Sequence, residues 1–451
     1  MKTHLTRLGI LSVFLFLNSF QSFSQTLTQS PYSRFGLGEL QRDDFAQNSA
    51  MGGVSQTFQS SNLLNISNPA SLGALKYTTF QAAVSGNFSQ QSTSLIKQNS
   101  KTASFNSISL AFPVTKWWGA AFGLKPFSSM GYNINYLASD TVFGDINYSF
   151  KGDGGLTKVF VSNGFQPVKN VFIGVNAMYM FGVLNKERKL AFDNTNYLNT
   201  VSQEATNVGG FNYNAGAQFK IPVKLYVTKS VLDTTRKDSL IYYKKTKIDW
   251  REKDYAFQIG LTFQNNSVVN ATTNALVRSY RIEDEVVKLR DTVSYLVDYK
   301  GKINLPQTIG AGLAFKKGEK LFVGVDYYIE NWSQYSYYGV NDLLQNASSI
   351  CVGAQYTPKP GFLGNTFERG SYRIGFRSTN SHLNLKNTPI VENSISFGAG
   401  LPMRRSTSSV NLSFELGTRG TTTNNLIKEN FFKFNIGFSL NDVWFIKRKI
   451  D

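Results

Sequence analysis

From Lys76 to the carboxyl end, apolar and polar residues alternate with a period of two. In NFFKFNIGFSL, Phe432, Phe434, Ile436, Phe438 and Leu440 fall on one face and Lys433, Asn435, Gly437 and Ser439 on the other, as strand geometry requires. Val410, Leu412, Phe414 and Leu416 oppose Asn411, Ser413, Glu415 and Gly417; Tyr372, Ile374 and Phe376 oppose Arg373, Gly375 and Arg377. VFIGVNAMY, FNYNAGAQF, LFVGVDYYI and NSISFGAGL obey the same rule. Half-buried sheets of soluble sandwiches alternate too, so length and residue type decide. The segments run to about ten residues, the length of a tilted membrane strand. Their apolar faces are rich in Phe, Tyr and Leu, and the opposite faces carry Gly, Ser, Asn and isolated charges, as a polar lumen would. The pattern predicts an all-β fold: a transmembrane antiparallel up-and-down β-barrel, with Gly-rich inner faces that leave room inside.

Turn signals set the phase. Short turns at Val114 to Trp118, Pro167 to Asn170, Lys316 to Lys320 and Pro402 to Ser408 alternate with longer polar stretches at Gln90 to Thr102, Ser129 to Asp153 and Gly339 to Ser348, the asymmetry of short periplasmic turns and long outer loops. Strands then start near Lys76, Ala103, Trp117, Gly154, Val171, Val208, Tyr255, Thr292, Leu321, Ser349, Ser371, Ser394, Ser409 and Phe431. That is about fourteen, an even number as closure with both ends in the periplasm demands. Val223 to Trp250 is long for an inner turn and reads as an added hairpin or periplasmic insertion. Tyr255 to Ile282 must be one strand interrupted at QNNS, and a count of sixteen results if these segments supply extra strands.

The amino end differs. Lys2 and Arg7 precede the apolar run Leu8 to Leu17, and Ser22 to Ser24 are small residues before Gln25, the order of a secretory signal peptide over residues 1–24. The run is too short to span a bilayer as a helix. Residues 25–75 neither alternate nor suffice for a separate domain, since a piece of roughly 50 residues scarcely folds alone. Irregular backbone at membrane depth is tolerated when protein encloses it, so this segment is expected as a hatch, or plug, inside a barrel formed by residues 76–451.

Composition removes whole classes of chemistry. Cys351 is the one cysteine, which excludes a disulfide framework and a Cys-rich metal site. Beyond residues 1–24 the one histidine is His382, too few for a His-based zinc site, and as a lone residue in NSHLNL it reads as a solvated loop or rim side chain. No catalytic residue, metal or cofactor is expected, and the chain reads as a non-enzyme. GDGG at Gly152 to Gly155 lacks the Gly-Lys-Ser/Thr of a phosphate loop, and the acidic tip Glu283 to Glu285 reads as a solvated loop more readily than as a calcium site. The formal charge is +18, or +16 without Lys2 and Arg7. The basic residues lie scattered in turns, which fits membrane lipid and lipopolysaccharide phosphates and not nucleic acid. Mean hydropathy is slightly polar, as a barrel permits because only alternate residues meet lipid.

AMGGV (Ala50 to Val54) followed by NLLNISNPASLGAL (Asn62 to Leu75) resembles the amino-terminal hatch of the long-chain fatty acid transporter family of bacterial outer membranes (FadL type). INLPQTIGAGLAFKKGEKLFVGVDYYIENWSQY, Ile303 to Tyr335, resembles that family's Leu-Pro strand, short turn and following strand. The segments SPYSRFGLGEL and ENFFKFNIGFSLNDVWFIKRKID resemble a variant common in Bacteroidota. The resemblance implies an outer-membrane location and ATP-independent passive uptake of hydrophobic or amphipathic small molecules through a hatch and a lateral opening. It carries over to Gly52, Gly53, Asn68, Pro69 and Ala70 as hatch positions, though Asn68 to Ala70 alone is also an ordinary capping turn. Related plugged barrels resemble a component of type IX secretion, so the alternative expectation is a non-transporting barrel subunit of a secretion or assembly complex, with protein partners at the periplasmic face.

Overall fold

The structure is a computed structural model that describes residues 28–444 apart from 224–225, 233–242, 250–254, 284–285, 342–343, 362–363 and 405. The expected signal peptide, and Asp284 and Glu285 of the acidic tip, lie outside the described residues. The barrel strands are β1 (Thr78–Ser92), β2 (Lys97–Pro113), β3 (Trp118–Asp140), β4 (Gly144–Val168), β5 (Val171–Phe192) and β6 (Asn199–Val223). β7 runs in two pieces (Tyr255–Gln264 and Ser267–Glu283), as does β8 (Val286–Leu305 and Thr308–Lys317). They are followed by β9 (Leu321–Glu330), β10 (Ala347–Tyr356), β11 (Ser371–Leu385), β12 (Thr388–Pro402), β13 (Ser409–Arg419) and β14 (Lys428–Asp442). Each pairs antiparallel with its neighbours, and β14 returns to β1 from Thr78↔Asp442 to Ser92↔Lys428. The barrel is closed and fourteen-stranded.

Both pieces of β7 lie along β6 and face the two pieces of β8, so the interruption at Asn265 and Asn266 does not start a new strand. The break in β8 falls at Pro306 and Gln307, where proline has no N–H to give the ladder. The insertion forms a hairpin of Tyr226–Leu232 and Tyr243–Asp249 that, among the described residues, pairs only with itself. It hangs at the inner end, where β1 begins and β14 ends. The count of sixteen is thereby set aside.

Two expected outer loops are paired strand. Gln90 to Thr102 contains the ends of β1 and β2, and Ser129 to Asp153 is mostly β3 and β4 with a tight turn between. The starts placed at Gly154, Val208, Thr292 and Ser394 were late for the same reason: β4, β6, β8 and β12 begin at Gly144, Asn199, Val286 and Thr388. The lipid belt explains the discrepancy. On the outward face of β5, Ile173, Val175, Tyr179, Phe181 and Val183 are large, apolar and exposed, and beyond them stand Asn185, Glu187 and Lys189. The outer parts of β3 to β8 continue past the belt into water, where apolar residues no longer mark a lipid-facing side, so the period-two signal fades while the ladder persists.

Residues 28–77 fill the lumen. They include short 3-10 turns at Pro31–Arg34 and Pro69–Ala74, a four-residue helix Ala46–Ser49 and a two-residue strand Glu39–Leu40. Met51, Val54, Leu64 and Ile66 have no exposed surface. Phe45, Leu64, Ile66 and Leu72 pack on Ala111, Ala121, Phe160 and Met178 of the wall, while Met51, Val54 and Phe58 pack on Phe322 and Cys351. The inward glycines do not leave the expected room, because the plug backbone occupies it. A Cβ on Gly375 would lie 2.1 Å from Gly52 N, and one on Gly260 2.1 Å from Gln56 O; glycine is used there for close backbone approach.

Among the described residues, the wall parts at a seam between β2 and β3. β2 and β3 pair only from Ile108↔Leu124 to Pro113↔Gly119, and above that point their facing edges part. Pro126 marks the parting on β3, next to a register break. Plug residues cover the opened edge: Glu39 and Leu40 pair with Ser129 and Ser128, Gln41 N donates to Phe127 O at 2.8 Å, and Gly131 N donates to Ser33 Oγ at 3.0 Å. Irregular backbone thus meets the membrane depth enclosed by protein, as an apolar solvent demands.

The belt assignment is testable. Ile395 faces outward on β12 and is 56% exposed. Ile395→Arg should lower stability in lipid vesicles by about 2–4 kcal/mol, the effect of a cation near a bilayer midplane, read from denaturant unfolding; an unchanged midpoint would contradict this face's exposure to lipid.

Candidate functional site

Between the plug and the wall lies a chamber of about 380 Å³. Its outer roof is apolar: Tyr32 and Leu37 of the plug meet Met130, Tyr132, Leu156 and Met180 of the wall, and Trp332 and Tyr335 from the segment after β9 close over them. Its sides are charged, with Glu39, Arg42, Asp43 and Asp44 of the plug facing Lys158, Arg377, Glu392, Glu415, Arg419 and Lys433 of the wall.

These charges are paired. Arg377 meets Glu392 at 2.7 Å and Glu415 at 2.5 Å. Arg419 meets Glu392 at 2.5 Å and Glu39 at 3.0 Å, and Lys433 lies 3.5 Å from Glu39. On the opposite wall, Lys158 pairs with Asp43, and Lys125 Nζ donates to Asp44 O at 2.6 Å and Asn106 Oδ1 at 3.2 Å. Lys125 and Lys158 are direct cross-strand partners, an unfavourable like-charge pair by itself, so the Asp43–Asp44 corner of the plug is what lets both stay buried. Lys125 also touches both sides of the seam, through its own strand β3 and through Asn106 of β2.

Asp326 on β9 makes a third anchor. Its buried Oδ2 accepts from Ser55 N at 2.6 Å, Gln56 N at 2.8 Å and Tyr328 Oη at 3.3 Å. Charge-assisted bonds of this kind are the stronger class.

The sequence-selected positions lie at the plug's base and side. Asn68 caps the turn Pro69–Ala74 by accepting from Ala70 N at 3.2 Å, and its Nδ2 reaches Gln56 O at 2.8 Å and the carbonyls of Ala217 and Leu261, each at 3.3 Å. Pro69 and Ala70 press on Gly174 of β5. Gly52 and Gly53 have φ of +68° and +91°, a region that glycine enters without strain, and Gly52 N donates to Ser396 Oγ at 2.7 Å. None of the five lines the chamber. His382, expected in a solvated loop or at the rim, sits half-buried on the outer part of β11, stacked on Trp332 with ring centres 4.4 Å apart. The chamber's charged residues escaped selection although Arg377 and Glu415 stood on inward faces; an inward Arg or Glu is the usable signal, since an isolated charge facing a lumen needs a partner.

Burial works to raise the pKa of Glu39, but Arg419 above all, then Lys433 and the Thr28 hydroxyl, hold it down to about 2 from 4.5. Stability from its ionised form is therefore present above about pH 4.5 and lost as pH falls towards 2. Limited proteolysis should cut the plug near residues 28–41 faster at pH 3 than at pH 7, and Glu39→Gln should show fast cutting already at pH 7. Cutting that ignores both changes would contradict the latch.

Solved structures share this architecture. The Pseudomonas putida toluene transporter TodX superposes with a TM-score of 0.56 at 14% identity, covering 88% of this chain and 97% of that one. A channel described as the CymD monoaromatic hydrocarbon channel gives 0.53 at 11% identity, with 90% and 99% covered, and a Pseudomonas aeruginosa FadL homologue gives 0.54 at 9%, with 90% and 100% covered. At these identities the likeness is one of fold, and it points to the outer membrane. Among curated proteins none matches. The family model described as BamG matches residues 7–451, and the chain belongs to that family.

Proposed function

We propose that this protein is a passive outer-membrane conduit for amphipathic small molecules, entering from outside and leaving sideways into the membrane. The seam between β2 and β3 carries the reading, because it is a breach in the wall at membrane depth, stopped by plug backbone and adjoining the chamber through Asn106 and Lys158. The neighbours printed as a toluene transporter and a monoaromatic hydrocarbon channel support a hydrophobic cargo. The ion-paired chamber favours one that also bears a polar or charged group, since burying a bare hydrocarbon among charges gains little and strips their water. Gly52, Gly53, Asn68, Pro69 and Ala70 are then the seat about which the hatch moves. Residues 1–24 direct export, and basic turns such as Lys316 to Lys320 and Pro402 to Ser408 face lipid phosphates at the periplasmic rim.

A disulfide between Leu40→Cys and Ser128→Cys, which are register partners, would fix the stopper. In proteoliposomes the oxidised variant should take up a fluorescent long-chain fatty acid about tenfold more slowly than after reduction, whereas equal uptake in both states, or uptake no faster than in empty vesicles, would contradict the route. Replacing Pro69 by Ser should raise entry of bulky antibiotics into cells; unchanged permeability would remove Pro69 from the hatch.

The hairpin at the inner end favours a second reading, a barrel subunit of a secretion or assembly complex. An isolated two-stranded hairpin is marginal in water, and contact with a periplasmic protein would steady it. Purified in mild detergent, the barrel should then carry partners that are lost on deleting residues 226–249, and elution alone from native membranes would count against this reading.

A further inference from the structure

The charges that line the chamber pair with one another. Arg42, Lys158, Arg377, Arg419 and Lys433, its five basic residues, each stand in an ion pair with a carboxylate. The lining carboxylates number six, Glu39, Asp43, Asp44, Glu330, Glu392 and Glu415, and Glu330 accepts from the indole N–H of Trp332 at 2.6 Å. Arg377 keeps an unmet Nε, but two carboxylates already share its charge. An anionic head entering here would meet a net negative lining and lose its water without gaining a free cation.

The other unmet groups are neutral, and they lie together. Gln56 of the plug and Asn212 and Asn214 of β6 line the chamber, and they are only 1%, 1% and 6% exposed. Among the described residues, Gln56 Nε2 and Oε1, Asn212 Nδ2 and Asn214 Oδ1 have no hydrogen-bond partner. These are two donors and two acceptors. Asn214 is the register partner of Gln264 on β7, and Gln264 that of Thr308 on β8, so the amides form a row across three strands. The Gln56 amide lies beside that row over Gly310, where a Cβ would stand 2.8 Å from its Nε2. Apolar side chains flank the patch: Met178 of β5 is the register partner of Asn212, and Leu305 and Pro306 line the chamber next to Thr308.

We infer that Gln56, Asn212 and Asn214 form the head-group site for the cargo, and that it takes a neutral head with both a donor and an acceptor, a carboxamide or a hydroxyl, in preference to a carboxylate or sulfonate. A buried donor or acceptor left unmet costs its full desolvation, and a head with both functions satisfies both kinds. An ionised acid offers acceptors alone, and it would set oxygen against Gln56 Oε1 and Asn214 Oδ1. The tail lies along Met178 and Leu305. This inference rests on the conduit reading and names the class of amphiphile within it.

Lauramide and lauryl sulfonate carry similar saturated tails and differ in the head, so the two probes test it. Bound to the whole purified protein in lipid nanodiscs, with uptake by empty nanodiscs subtracted, lauramide should show about tenfold higher affinity than lauryl sulfonate. Gln56→Met keeps the chain length and lacks the amide, so it should weaken lauramide about tenfold and leave lauryl sulfonate as it was. Asn214→Leu should do the same, and it serves if Gln56→Met fails to fold as judged by heat-modifiable migration. Equal affinity for the two probes, or tighter binding of the sulfonate, would overturn the inference and leave the conduit standing. A lauramide preference that both variants retain would also overturn it, because the head would then sit elsewhere. Binding of neither probe would contradict the conduit reading together with the inference.

Discussion

The structure depends on backbone meeting backbone. A fourteen-stranded barrel encloses a lumen too wide for its own side chains to fill, and here a folded-in segment fills it by lying directly on inward glycines. Gly353 would place a Cβ 2.3 Å from Met51 O and Gly174 one 2.4 Å from Pro69 C. Polar anchors then fix the contact in register: Asp326 clasps two plug amides, and Asn68 spans the carbonyls of two wall strands. The charged chamber follows, because wall charges that face a lumen must find partners and Glu39, Asp43 and Asp44 supply them from the plug.

The same segment completes the wall. β2 and β3 share six paired positions from Ile108 to Pro113 and then separate, which leaves unpaired groups where lipid offers none in return. Plug residues from Ser33 to Gln41 supply those partners, so the segment that fills the lumen also closes the wall. Movement that frees the plug must open the side of the barrel, and the buried pairs of Glu39 with Arg419 and of Asp43 with Lys158 set how firmly it is held.

Much of this was legible in the sequence because the bilayer imposes a simple rule on alternate residues. Phe432, Phe434 and Ile436 against Lys433 and Asn435 report the face of β14 directly, and the interruption at QNNS was readable inside β7. The pattern failed where the bilayer stops. Ser129 to Asp153 is rich in Ser, Asn, Asp and Gly and so resembled a loop, although Met130, Tyr132, Ile134 and Tyr136 share one face and its ladder is unbroken for most of its length. The plug's contacts were hidden for another reason: Gly52, Gly53 and Asn68 to Ala70 were visible as local turn chemistry, whereas the match of Glu39 to Arg419 joins residues far apart in sequence, and nothing local marks either. Inward glycines suggested empty space because a missing side chain reads the same whether solvent or another backbone takes its place.

The central claim is that the plug, and not pairing between β2 and β3, closes the wall. Spin labels at Ala103 on β2 and Asn133 on β3, both exposed, report the separation across the seam by pulsed dipolar spectroscopy in lipid. One narrow distance distribution is expected for the intact protein, with a longer and broader one after deletion of residues 28–41. An unchanged narrow distribution in the deletion variant would mean that the two strands hold the wall shut by themselves, and would contradict the account.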